Sequence, residues 1–405
     1  MAKKHNFDTG ELDRWLGIPL GGGNLLDPLH VNDIRRFVQA MQNPNPLYYD
    51  ADYAAESCFG RIVAPQSFVV ATSDSGSGLM PAIQGRLEGT HGLLTGDEWW
   101  FYGPLLEPGD KIRQERMLYD YRIVDTRFAG PTVLARGDTI YINQRGEVVA
   151  KQRASAMRYH AEEAVKRKLY TQHSEPEWSA EQLEEIERQH FEWINSFREM
   201  GHGRRSSAQA GDRLVTRPVG PHSLMSFVTE LRALPAMVWG AFGEDRFRHS
   251  STEGRDGGGG AGWLAELDRS PGQARIDPRY ADALYRGPNL AHVVPQLGRL
   301  VGMPRSYGYG VGVGCWMMDY VSNWIGEWGE IVHSKINYRY PVFVGDMAYI
   351  NGEVTAVHHP DDFGPIVILD VTATTQDGVT VADGVIQARL SRESEGEAFV
   401  SATPS

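Results

Sequence analysis

At 405 residues the chain is too long for one ordinary hydrophobic core, which points to two or more domains of about 100–200 residues each. A hydrophobic share of 41% and a charged share of 23% are those of a normal globular protein and exclude a disordered or fibrous one. A formal net charge of −12 argues against a basic nucleic-acid surface, and two cysteines, Cys58 and Cys315, exclude a disulfide framework or a zinc finger.

The opening MAKKHNFDTGELDRW has two lysines but no apolar stretch behind them. Neither a signal peptide nor a membrane segment is expected there, and a cytoplasmic protein is the default. Residues 8–165 are rich in aromatic and β-branched residues with regular Gly and Pro punctuation. A helical stretch, HVNDIRRFVQAM, leads into NPNPLYYDADYAAESCFGRIVAPQSF, and after FYGPLLEPGDKI (101–112) come the strand-like RMLYDYRIVD and PTVLARGDTIYI. SDSGSG (73–78) lacks the Gly-Lys-Ser/Thr ending of a P-loop. Residues 166–210 form a helical linker in which Trp178, Leu183, Ile186, Phe191, Trp193, Ile194 and Phe197 recur at helical spacing. Ser179 with Gln182 three residues on has the capping-box pattern, and the helix is expected to end near Gly201. Residues 211–395 return to the first texture, with a second helical stretch, GPHSLMSFVTELRAL, and the glycine-rich GRDGGGGAG at 254–262, which reads as a flexible insertion.

The two outer regions are related. Pro104, Gly109 and Asp110 of the first answer to Pro341, Gly345 and Asp346 of the second, and strand-like segments follow both. Each copy ends on a hairpin signal, Asn143-Gln144-Arg145-Gly146 against Thr375-Gln376-Asp377-Gly378. Three matches in one order indicate duplication. Each copy also has helical segments ahead of its strands, so the layout is α+β, with an antiparallel sheet wrapped over a helix.

These residues resemble the MaoC-like hydratases and dehydratases. The first half carries the likeness in NPLYYDADYA, FGRIVAP, TGDEWWFYGPLLEPGD and YINQRGEVVAKQRASAMR, the second in AHVVPQLGRLVGMPRSYGYG and YRYPVFVGD. The resemblance implies a tandem double hotdog, each half a central helix wrapped by an antiparallel sheet, with an N-terminal hotdog at 8–165 that is non-catalytic and a candidate catalytic one at 211–395. It also implies reversible addition of water to a 2-enoyl thioester on CoA or an acyl-carrier protein, with no cofactor beyond CoA as part of the substrate, no metal, and no nucleic-acid or membrane partner. A homodimer or a hotdog partner subunit is the expected assembly.

In the family pattern G-D-x-N-P-x-H, His292 falls on the histidine, Asn289 on the asparagine and Leu290 on the proline, while the aspartate position holds Gly287. Gly310 takes the place of the glycine whose amide polarises the thioester carbonyl, with Tyr309 before it where the family has histidine. His292 is therefore the expected acid/base and Gly310 the oxyanion donor. The groups available to orient water or substrate are Asn289, Tyr307 and Tyr309, together with Asn43 and Tyr48, which occupy the aspartate and histidine positions of the first half. Asp319 is either a displaced carboxylate or, in the blander reading, a cap or partner within the central helix. GYGVGVG (308–314) has Val313 where a dinucleotide fingerprint needs glycine, so its small residues are expected to let the sheet or a pantetheine arm approach. Two alternatives stay open: a non-catalytic hotdog subunit supporting a catalytic partner, and a hotdog thioesterase.

Overall fold

Ten antiparallel strands form one continuous sheet, and its order explains how two copies of one unit share a core. The computed structural model describes residues 7–20, 28–72, 78–85, 87, 89–170, 173–234, 290–360 and 364–391. The glycine-rich insertion at 254–262, most of SDSGSG, and Gly287 and Asn289 lie outside the described residues.

The first half opens with α1 (Gly10–Trp15), the two-residue β1 (Pro19–Leu20), α2 (Val31–Ala40) and α3 (Ala51–Glu56). Its strands are β2 (Thr90–Phe101), β3 (Ile112–Thr126), β4 (Gly130–Asn143) and β5 (Val148–His160). Then come α4 (Ala161–Arg167) and α5 (Ala180–Arg198). The second half has β6 (Arg217–Val219), α6 (Leu224–Ala233), α7 (Pro295–Leu300), α8 (Gly310–Ile325), and strands β7 (Glu330–Tyr338), β8 (Ala348–His358), β9 (Ile366–Thr375) and β10 (Thr380–Arg389). The spatial order is β1-β3-β4-β5-β2-β7-β10-β9-β8-β6. The halves meet where β2 pairs with β7, from Gly96 opposite Asn337 to Trp100 opposite His333.

Equivalent hydrogen bonds show the duplication. Asp110 Oδ2 accepts from the Glu107 amide and Asp110 Oδ1 from Gln144 Nε2, while Gln144 Oε1 accepts from the Lys111 amide. Asp346 does the same with the Phe343 amide and Gln376, and Gln376 Oε1 takes the Met347 amide. Both hairpins turn through a glycine at positive φ, Gly146 (85°) and Gly378 (74°), where a side chain would be strained.

Only the second half carries its full central helix within the described residues. α8 lies on the sheet, buried along nearly all its length, whereas the corresponding place in the first half is a 3-10 run, Gln66–Thr72. The linker helix forms as its capping box requires: Ser179 Oγ accepts from the Gln182 amide and Gln182 returns a bond to the Ser179 amide. Its apolar spacing is only partly a buried stripe, since Ile186, Trp193 and Phe197 are buried while Leu183 and Phe191 stay exposed. None of the described helices is long and apolar enough to cross a membrane.

The small residues of GYGVGVG are filled by protein. A Cβ on Gly308 would lie 2.9 Å from the Phe227 ring, one on Gly312 3.0 Å from Glu230, one on Gly310 3.0 Å from the Tyr338 ring and one on Gly314 2.3 Å from the Tyr338 hydroxyl. α8 is thus held between α6 on one face and β7 on the other. Gly314→Ala is expected to destabilise the fold by about 1–3 kcal/mol through overpacking. Thermal melts of Gly314→Ala alone and combined with Tyr338→Phe check this, because removing the hydroxyl is expected to restore part of the loss; equal losses would show the clash is not with that oxygen.

Candidate active site

The structure sorts the candidate residues into two separate clusters. His292, Tyr307, Tyr309 and Gly310 gather at the start of α8. Asn43 and Tyr48 sit with the middle and end of the same helix.

His292 ends the 3-10 turn Leu290–His292, and the chain returns to it through α7. Its Nδ1 is 2.9 Å from the Tyr307 carbonyl, so Nδ1 carries the proton and donates it there, leaving Nε2 with its lone pair. The Tyr307 amide bonds back to the His292 carbonyl at 3.2 Å. The imidazole stacks on Tyr309, with centroids 4.0 Å apart, and meets the Tyr307 ring at a tilt of 42° with centroids 4.1 Å apart. Burial lowers the His292 pKa to about 4 against the partial support of the Tyr307 and Gly308 carbonyls, so the ring is neutral near pH 7. Tyr309 is the N-cap residue of α8 and Gly310 its first helical residue, so the imidazole lies within a residue of a helix N-terminus. The Gly310 N–H has no partner among the described residues, as expected for the first turn of a helix. A neutral base thus stacks on the residue that caps the helix, next in sequence to the unpaired amide. Their chemistry is proton transfer next to a polarised carbonyl.

The second cluster joins the halves. Asn45 caps the turn Pro46–Tyr48 by accepting from the Leu47 amide, and its Nδ2 donates to Asn323 Oδ1 at 2.9 Å. Asn323 in turn donates to Asn43 Oδ1 at 3.1 Å. Asp319, one turn earlier on α8, accepts from Ser67 Oγ at 2.5 Å. This corrects the reading of Asp319 as a cap or partner within its own helix: its bond crosses to the first half. Burial raises its pKa to about 6, against the nearby Arg217 and the help of Ser67 and Asn43. The Tyr48 hydroxyl, buried near Asp319 and Glu327, is pushed well above the usual phenol range and stays protonated. It lines a cavity of about 210 Å³ together with Asn45, Gln66, Asn323 and, from the linker, Phe197 and Met200. Gln66 occupies the place equivalent to Gly310, and its side chain bonds both ways with the backbone of Ile331.

Two buried acids were missed by sequence reasoning. Glu230 on α6 is fully buried, with neither oxygen partnered among the described residues, and packs against the first turn of α8 at Gly312. A carboxylate on the apolar stripe Phe227–Glu230–Leu231 was the available signal. His222 is also buried, stacked between Phe227 and Trp316, and burial lowers its pKa to about 3. Asp97, in TGDEWW, accepts hydrogen bonds from Tyr338 and Gln152.

With this geometry in view, similarity to known proteins becomes informative. Residues 15–152 match the family "FAS1-like, dehydratase domain region". A protein of Thermomonospora curvata named "Probable enoyl-CoA hydratase alpha subunit" is 31% identical over 162 residues, 36% of this chain and 50% of that protein. A UPF0336 protein of Thermobifida fusca is 29% identical over 89 residues, 22% of this chain and 59% of its own length. The chain thus matches only about half the length of these curated relatives. A solved structure titled "MaoC-like dehydratase" superposes with a TM-score of 0.60 at 16% identity, covering 94% of this chain and all of its own. A Mycobacterium tuberculosis protein described as having a double hotdog fold gives 0.51 at 12% identity, covering 93% of this chain and 96% of its own.

The chain has a double hotdog fold. Within that fold its second half presents a histidine and a free glycine amide at the central helix, while its first half has a tyrosine and a glutamine in the corresponding places.

The buried acid on α6 gives a test of this part of the structure. Burial holds the Glu230 pKa well above 4.5, so its contribution to stability is complete below pH 4.5 and is lost as pH rises and the unfolded state ionises. Glu230→Gln is expected to gain on the wild type steadily as pH rises from 4 to 8. Urea unfolding across that range checks it, and a pH-independent difference would show that Glu230 is not held protonated.

Proposed function

We propose that this MaoC-like protein is a hydro-lyase that adds water to, or removes it from, an acyl thioester, with His292 as acid/base and Gly310 as oxyanion donor. The observation that carries the reading is the neutral imidazole, its tautomer fixed by the Tyr307 carbonyl, stacked on Tyr309, the residue that caps α8.

In the hydration direction, Nε2 of His292 takes a proton from water as the water oxygen bonds to the β-carbon. The electron pair of the double bond moves toward the thioester carbonyl, whose oxygen is held by the Gly310 N–H at the positive end of the helix. The imidazolium then returns its proton to the α-carbon, and the histidine ends as it began. No electrons are gained or lost overall, so the step calls for no redox cofactor. Tyr309 holds the ring by stacking and Tyr307 by a tilted contact and its carbonyl. The aspartate that usually completes such a pair is replaced by Gly287, and Glu230 is the carboxylic acid that the second half places against the first turn of α8. Asn289 belongs to the same motif and is assigned with His292 to the water. The first-half cavity, with the Tyr48 hydroxyl at its wall and Asn43 behind it through Asn323, is assigned to holding the acyl group. CoA and an acyl-carrier protein are both compatible carriers.

A panel of enoyl- and 3-hydroxyacyl-CoA thioesters tests the proposal. His292→Ala is expected to lower kcat by about 100-fold or more with little change in KM, the usual contribution of a positioned acid/base. Because the imidazole must be neutral to take a proton, kcat/KM is expected to fall as pH drops through about 4 rather than through the ordinary histidine value. Full activity in His292→Ala would remove the assignment. No turnover by the wild type, with a co-purifying hotdog subunit that carries an Asp/His pair, would favour the supporting-subunit reading that Asn43 and Tyr48 suggest.

A further inference from the structure

Behind the glycine face of α8, a hydrogen-bonded chain crosses the seam between the halves. Tyr338, the last residue of β7, lays its ring against Gly310 and its hydroxyl beside Gly314. That hydroxyl donates to Asp97 Oδ2 at 2.7 Å, across the β2–β7 boundary. Gln152 of β5 donates to Asp97 Oδ1 at 2.7 Å and receives a bond from the Tyr141 hydroxyl of β4 at 2.9 Å. Asp97, Gln152 and Tyr141 are all buried. Asp97 Oδ2 is therefore fixed by the first half, and Tyr338 reaches from it to the first residue of the helix in the second.

The duplication supplies an internal control. The position equivalent to Tyr338, three residues before the shared proline, is Phe101, which has no hydroxyl and stacks on Trp99 instead. Phe101 belongs to the half whose helix position equivalent to Gly310 is Gln66. Among the described residues the tethered aromatic thus belongs to the half whose central helix begins at Gly310.

We infer that Asp97 and Tyr338 are a positioning pair, which sets the depth of the N-terminus of α8 and so holds the Gly310 amide where a thioester oxygen binds. The role given to Gly310 rests on the proposed function; the tether itself does not. Both bonds to Asp97 are donated to it, so the ionised carboxylate holds Tyr338 more tightly than the neutral acid does. Burial raises the Asp97 pKa to about 7 against the help of Tyr338 and Gln152, which brings this change into the working range. The Cys315 thiol of α8, held neutral by burial, is the other titratable group near it; Glu98, next along β2, lies on the opposite face, where it pairs with His333 and Lys335. Arg136 and Arg153 line the same cleft as Asp97 and are held by Asp120 and Asp138.

Two measurements on the full chain test the pair. In thioester turnover, kcat of the wild type is expected to rise with pH in a step near 7, above the histidine limb. Tyr338→Phe and Asp97→Asn are each expected to abolish that step and lower kcat roughly tenfold at pH 8, the rate equivalent of about one hydrogen bond, with KM changed less than about twofold. In hydrogen exchange, the amides of residues 313–317, which close the first turns of α8, are expected to exchange faster in Tyr338→Phe than in the wild type at pH 8, and in the wild type to be better protected at pH 8 than at pH 6 once intrinsic rates are corrected. Exchange that responds in a protein with no turnover would keep the tether and reject the reaction. Turnover with an unchanged pH step in both variants, or exchange indifferent to the hydroxyl, would overturn the pair.

Discussion

A single buried cation ties the parts of this molecule together. Arg217, fully buried on β6, donates to the carbonyls of Met41 and Gln42 at the end of α2 and to Trp316 O on α8, while its guanidinium lies over the Trp193 ring of α5. One side chain thus supplies donors to a helix end of the first half, to the central helix of the second, and to the linker between them. The α2 carbonyls would otherwise be left without partners inside the protein. Burial lowers the Arg217 pKa to about 10, so it stays charged at neutral pH, and Asp319 is the first of the nearby groups that support that charge. Asp319 in turn holds Ser67, so the two buried charges fix where the first-half segment around Asn43 meets α8.

Duplication fixed the frame and divergence made the halves unequal. The Asp–Gln corners at Asp110 and Asp346 are nearly identical because a tight corner and the start of a long strand need the same donors and acceptors in both copies. The places where the halves differ lie around the helices: Gln66 against Gly310, Tyr48 against His292, Phe101 against Tyr338. Each difference replaces a small or polar group of the second half, a glycine, an imidazole or a hydroxyl-bearing ring, with a side chain of other chemistry in the first.

What could be read in the sequence followed how local its cause was. The repeated turns were visible because positive φ demands glycine at set positions, and the linker helix because a capping box lies within four residues. The motif around His292 was visible as a pattern. Other features depend on distant partners. Asp319 bonds to Ser67, 252 residues away, and no feature of its own helix announces that. Tyr338 and Asp97 look like ordinary strand residues until β2 and β7 are paired. The first half was expected to carry a central helix like that of the second, but its stretch after Pro65 forms a 3-10 run, in which β-branched Val69, Val70 and Thr72 are all buried.

The sheet order has a further consequence for assembly. A ten-stranded sheet has only two outer rims, and here each rim is a stub, the two residues of β1 and the three of β6. Behind the β1 stub stands β3, Ile112–Thr126, which β1 meets only at Arg116 and Met117, so most of the outer side of β3 has no strand partner among the described residues. That side is where a second polypeptide could extend the sheet, joining backbone to backbone.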